Sequence, residues 1–231
     1  MDNAPETRNN ALSAEGRSDR GGARTVESAR QELTREIRWI RRGRFSDDVD
    51  AWFSRFAPVP ETREDDYLIA PAMAGLSVKI RGGSSFDVKQ YQGAVGAVDI
   101  PVEGPSRIDS WLKFSFPLAG GADPPHAASA SAWRKVRKRR QICVFPVADA
   151  RRQTDSPGDT CSVELTEVQA LGDAWWTLGF EARGRGALGG IKRAVATVFD
   201  EPPPMTPAFQ AEEAMSYAEW INELATVRAY E

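Results

Sequence analysis

The chain opens its ordered part with strict alternation. In LTREIRWI, Ile37 and Trp39 share one parity while Thr34, Glu36 and Arg38 share the other, which predicts a half-buried strand. FSDDVDAWFSRF changes the rhythm. Val49, Trp52, Phe53 and Phe56 recur at i, i+3, i+4 and i+7, the stripe of an amphipathic helix. Ser46 is placed to cap it, with Asp47 and Asp48 in the first turn. LSVKIR then sets Leu76, Val78 and Ile80 against Ser77, Lys79 and Arg81. The turn GGSS joins it to FDVKQY, where Phe86 and Val88 oppose Asp87, Lys89 and Tyr91, so the pair reads as a hairpin. SRIDSWLKFSF reads as a short helix burying Ile108, Trp111 and Leu112.

The second half continues in the same manner. WRKVRKRRQICVFPV is a strand, basic at its start and apolar at its end; CSVELTEV and AWWTLGFEAR are two more. GALGGIKRAVATVF and SYAEWINELA are helices. In the latter, Ser216 and Glu219 form a capping box ahead of the stripe Tyr217, Trp220, Ile221 and Leu224. Strands in hairpin-like runs with helices between them predict an α+β fold with a mainly antiparallel sheet. The apolar strand faces need the helices as cover, which leaves the charged parities on one common surface. If the sheet closes with the helices packed outside, that surface is the lumen of a β-barrel, a tunnel. Residues 1–30 lack large apolar side chains and read as a disordered tail, so the folded domain spans 31–231.

Strand parity alone collects the lumen set. It holds Arg38, Lys79, Arg81, Lys89, Lys138 and Arg140 with Glu36, Asp87, Glu164 and Glu181. Fixed guanidinium and ammonium groups match phosphate oxygens, and carboxylates interleaved with them can hold a hard divalent cation. An antiparallel sheet with one solvated face would show the same alternation, so spacing leaves both readings open.

Composition narrows the chemistry. The chain has 231 residues with 30 Lys+Arg and 33 Asp+Glu, a net charge of −3. A single histidine, His126, excludes a Ser-His-Asp triad away from it and any multi-histidine metal site. Cys143 and Cys161 have neither zinc-ligand nor redox spacing. Only six lysines are present, so each is a mild flag. The longest uncharged stretch, Tyr67 to Val78, is too short to span a bilayer, and the polar N-terminus has no signal-like apolar run. A cytoplasmic protein is therefore expected.

The order of several short motifs resembles the CYTH superfamily, the triphosphate tunnel metalloenzymes, which include thiamine triphosphatases, inorganic triphosphatases and class IV adenylyl cyclases. Thr34-Arg35-Glu36-Ile37-Arg38 is similar to the opening E-x-E-x-K strand, and Asp65-Asp66-Tyr67-Leu68 to its acidic-Tyr-Leu segment. Lys79 and Arg81, Lys89, Lys138-Arg139-Arg140, the run VELTEVQALGDAWWTLGFE and the closing SYAEWINEL follow in the family's order. The resemblance covers about residue 31 to the C-terminus and implies a tunnel barrel. Arg38, Lys79, Arg81, Lys89, Lys138 and Arg140 would grip a triphosphate, while Glu36, Glu164 and Glu181 would hold Mg²⁺ or Mn²⁺ for hydrolysis. The departures fall on the metal half: Thr34, Thr166 and Gly179 stand where the family pattern has carboxylates. Anion binding is thus the better-preserved half of the pattern, and a triphosphatase activity the weaker expectation.

Other features compete. Arg134 to Arg140 holds six basic residues in seven, which reads as a nucleic-acid or polyphosphate contact on a non-enzymatic protein, or as a strand with a wet basic outer face. Gly184, Gly186 and Gly189 have dinucleotide-loop spacing, but no parallel strand follows the helix, so a Gly-rich strand-to-helix turn is the plainer reading. Trp39, Trp52, Trp111 and Trp220 sit on apolar stripes and are expected in the core.

Overall fold

The computed structural model describes residues 29–73, 75–100, 105–118, 132–147, 160–205 and 208–227. The tail expected at 1–30 falls almost wholly outside these residues, as do the loop bearing His126 and the SPGD turn. Eight strands run β1 (Arg30–Arg42), β2 (Val59–Leu68), β3 (Leu76–Arg81), β4 (Ser85–Val98), β5 (Ser106–Pro117), β6 (Trp133–Pro146), β7 (Thr160–Ala170) and β8 (Asp173–Arg183). They close into a barrel in the order β1-β5-β4-β3-β2-β6-β7-β8, and every pairing is antiparallel. Helices α1 (Asp47–Ser54), α2 (Ala187–Val198) and α3 (Tyr217–Val227) pack on it. The α+β tunnel architecture implied by the CYTH resemblance is the architecture of the chain.

Two strands depart from the hydrophobic pattern. The segment expected as a short helix is β5, paired on both sides, with β1 and with β4. Its Ile108, Leu112, Phe114 and Phe116 share one parity, and double-sided backbone pairing outweighs the i, i+3, i+4 coincidence of Ile108, Trp111 and Leu112. The pattern predicts no strand at 59–68, yet β2 lies there, because charge replaces apolar cover. Its outward Glu64 bonds Lys135 and Arg137 of β6.

The hydrophobic core lies outside the barrel. Ile37 and Trp39 of β1, Val163 and Leu165 of β7, and Leu178 and Phe180 of β8 are buried beneath Val49, Trp52 and Phe53 of α1 and Ile191, Val195 and Val198 of α2. Ser46 caps α1, its hydroxyl accepting the Val49 N–H at 3.3 Å. Close approach of α2 depends on Gly190, where a Cβ would lie 2.6 Å from Val147 Cγ2. The Gly184–Gly189 run turns out of β8 over Gly184–Gly186 and enters α2 at Ala187, beside an antiparallel sheet.

The third helix has a different task. Ala214 bridges Trp39, and the Met215 N–H donates to the Arg38 carbonyl at 3.0 Å, occupying β1 beyond its pairing with β5. This delivers α3 to one end of the barrel. Its N-terminus carries the expected capping box: the Ser216 hydroxyl accepts the Glu219 N–H and Glu219 accepts the Ser216 N–H. Trp220 and Ile221 then pack on Ile40, Val136 and Val168, which share the lumen parity, and on Tyr67. Burial of these groups fills much of the barrel at that end with apolar side chains.

Candidate functional site

Alternation on antiparallel strands sends every second side chain inward, and here the inward set is charged. Above the apolar end lies a cavity of about 90 Å³. It is lined by Arg38, Arg63, Lys79, Arg81, Lys89, Lys113, Lys138 and Arg140, against Glu36, Asp87, Glu164 and Glu181. It opens into a wider mouth of about 570 Å³, lined by Ser84, Ser85, Ser115 and Ser162 among others. The mouth's charges balance, with Arg30, Arg81, Lys113, Arg140 and Arg183 facing Glu32, Glu61, Asp87, Glu164 and Glu181. The positive excess is therefore concentrated in the narrow part.

All six cations and all three carboxylates expected at the site line this one cavity. The pattern missed Arg63, Lys113 and Trp111, which belong to the two unpredicted strands, and Tyr217, which it assigned only to a helix stripe. Lys113 had a signal, the scarcity of lysine: four of the chain's six line this cavity. Trp111 is buried as expected but faces the cavity, and its indole N–H has no hydrogen-bond partner.

Asp65 organises the deep end. It is 0% exposed, and its oxygens lie 2.8 Å from Arg63 Nε, 3.3 Å from Lys79 Nζ and 3.1 Å from Lys138 Nζ. Burial alone would raise its pKa; Lys79, Lys138 and Arg63 overcome that and hold the carboxyl far below its ordinary range. Lys138 donates to the Tyr67 hydroxyl at 2.7 Å and sits 3.8 Å from the centre of the Tyr217 ring. Burial, reinforced by the neighbouring charge of Lys79, pushes its pKa well down. Burial also lowers Lys79, to about 8, against the pull of Asp65. Tyr67 and Tyr217 are raised by burial and stay protonated.

Higher in the lumen the groups interlock. Arg38 donates to Glu36 at 3.0 Å and to the Thr177 hydroxyl at 3.1 Å, lies 3.7 Å from Glu164, and stacks 4.6 Å from the Tyr217 ring centre. Arg140 bonds both Glu164 and Glu61, the latter at 2.6 Å. Burial would raise Glu164, but Arg140 and Arg38 bring it down to about 2. Lys89 donates to Glu36 at 3.0 Å and to Glu181 at 2.6 Å.

These pairings test the expected Mg²⁺ or Mn²⁺ site. Glu36, Glu164 and Glu181 do come together, but each carboxylate is already engaged by an ammonium or guanidinium group. Among the described residues no group of three or more His, Cys, Asp or Glu side chains is placed to hold a metal ion. As arranged, the three glutamates do not fit a divalent cation. The basic outer row is also paired: Lys135 and Arg137 bond Glu64, and Arg139 bonds Glu167 at 2.6 Å. No helix among the described residues is long and apolar enough to cross a membrane.

No family model matches the sequence, and no curated protein matches it. Solved structures align with the chain at low identity and low TM-score. A mimivirus capping enzyme triphosphatase aligns with a TM-score of 0.41 and 11% identity, over 73% of this chain and 89% of that one. A candidate adenylate cyclase from Bacillus halodurans aligns with a TM-score of 0.39 and 10% identity, over 76% and 94%. At that level of likeness neither neighbour's activity transfers to this chain.

Proposed function

We propose that the lumen binds a phosphate-rich anion: a triphosphate, a polyphosphate end or a nucleotide. The observation that carries this is the crowding of eight Lys and Arg side chains around one narrow cavity against four lining carboxylates, an excess that Asp65 and Glu61 beside it offset only in part. Holding like charges together in a buried space costs stability unless an anion completes the set. Arg38, Lys79, Arg81, Lys89, Lys138 and Arg140 supply the donors in this reading, with Lys113 added from β5. Hydrolysis by a bound Mg²⁺ or Mn²⁺ is the finer expectation of the CYTH resemblance. The occupied glutamates do not support it, so binding is the function put forward.

The test is thermal unfolding with tripolyphosphate in EDTA. At 100 times Kd a ligand adds about 2.7 kcal/mol, a rise of about 5–10 °C for a domain of this size. Lys138→Met with Arg140→Met should abolish the rise; an unchanged rise would exclude the lumen. The second reading, nucleic acid or polyphosphate held by the outer face of residues 134–140, predicts the reverse. Binding would then survive the lumen changes and collapse on Arg137→Ala with Arg139→Ala. The ion pairs to Glu64 and Glu167 weigh against it.

A further inference from the structure

Glu36 of β1 and Glu181 of β8 are direct register partners, so their side chains stand next to each other on the lumen wall. Two carboxylates so placed repel each other unless a cation lies between them. Lys89 reaches across from β4 and supplies it, 3.0 Å from Glu36 and 2.6 Å from Glu181. An ammonium has three donors, and these two contacts leave one for a ligand. The charges support one another: Lys89 is raised despite its burial, and Glu181 is lowered despite its own.

The neighbouring carboxylate is treated in the same way. Arg38 lies between Glu36 and Glu164, and it fits there because position 179 has no side chain. A Cβ on Gly179 would fall within 2.7 Å of three guanidinium atoms. The space between the glutamates is thus filled by cations that the chain itself provides, tethered and unable to diffuse away.

We infer that Lys89 is a built-in counter-ion of the tunnel, standing between Glu36 and Glu181 where a divalent cation would otherwise bridge them. Anion binding then needs no metal, and deleting the Lys89 charge turns the glutamate pair into a divalent-cation site. The metal-free half rests on the anion-binding function proposed above. The cation half does not.

The experiment is a Mn²⁺ titration of the metal-stripped full chain without phosphate, followed by electron paramagnetic resonance of free Mn²⁺. The wild type should leave the free signal unchanged at equimolar ion. Lys89→Met, similar in length but uncharged, should deplete it with at least a tenfold gain in affinity, and Lys89→Met with Glu181→Gln should lose that gain. Lys89→Gln serves as a second variant, and circular dichroism verifies that each is folded. Mn²⁺ uptake by the wild type, or no gain in either folded variant, would overturn the assignment of Lys89. Tripolyphosphate titrated into the wild type in EDTA judges the other half. Binding there supports a metal-free site; its failure sinks the anion reading, while the Mn²⁺ result still decides the place of Lys89.

Discussion

Asp65→Asn removes one negative charge from the point where Arg63, Lys79 and Lys138 converge. The amide keeps the shape of the carboxylate, so the change isolates charge. Breaking a buried ion pair on one side costs about 3–5 kcal/mol. Two features here place the expected value near the lower end. Arg63 keeps Glu61 at 3.0 Å, and Lys138, already depressed, can shed its proton. A loss of about 3 kcal/mol corresponds to a fall in Tm of about 6–12 °C for a domain of this size. The decisive arm adds tripolyphosphate in EDTA. If the lumen binds phosphate, an anion replaces the missing charge, and the stabilising shift of the variant should exceed that of the wild type. A fall below about 2 °C, or a shift no larger than the wild type's, would refute the account of Asp65 as the internal anion of the deep end.

Three further outcomes are expected. Lys79 has a folded pKa of about 8, below its ordinary 10.5, so between those values the unfolded chain holds more protons. The unliganded protein should gain stability from this group as pH rises from about 8 to 10.5, while tripolyphosphate affinity should fall as pH rises through about 8; calorimetry across pH 7–10 tests both, and Lys79→Arg should flatten the affinity profile. Gly190→Ala should destabilise by about 1–3 kcal/mol in urea unfolding, because its Cβ would lie 2.6 Å from buried Val147. Trp111 faces the cavity with an unpartnered indole N–H, so tripolyphosphate should change tryptophan emission, and Trp111→Phe should remove that change.

Period-two alternation made much of the barrel legible. On β1, β3, β4, β6, β7 and β8 each inward residue is separated from its outward neighbour by one position, and every lumen residue expected there lies in the cavity. Elsewhere the signal was ambiguous or absent. β5 carries apolar residues on both parities, because Trp111 faces inward while Ile108 and Leu112 do not, and such a run imitates a helix. β2 has charge on both faces and is held by salt bridges that no periodicity reveals. The engagement of Glu36 and Glu181 by Lys89 joins three strands far apart in sequence, so it emerges only from closure.

Barrel closure also has a weakest line. β2 and β3 share three register positions, Asp65 with Arg81, Asp66 with Ile80 and Tyr67 with Lys79, whereas β2 pairs with β6 along its full ten residues. The Asp65–Lys79 ion pair crosses that seam on the lumen side at 3.3 Å. Here the wall has its shortest run of backbone pairing, so local opening costs least along it. Amide hydrogens of β3 should exchange through local opening and slow when an anion engages Lys79 and Arg81, while those of β7 and β8 follow global unfolding.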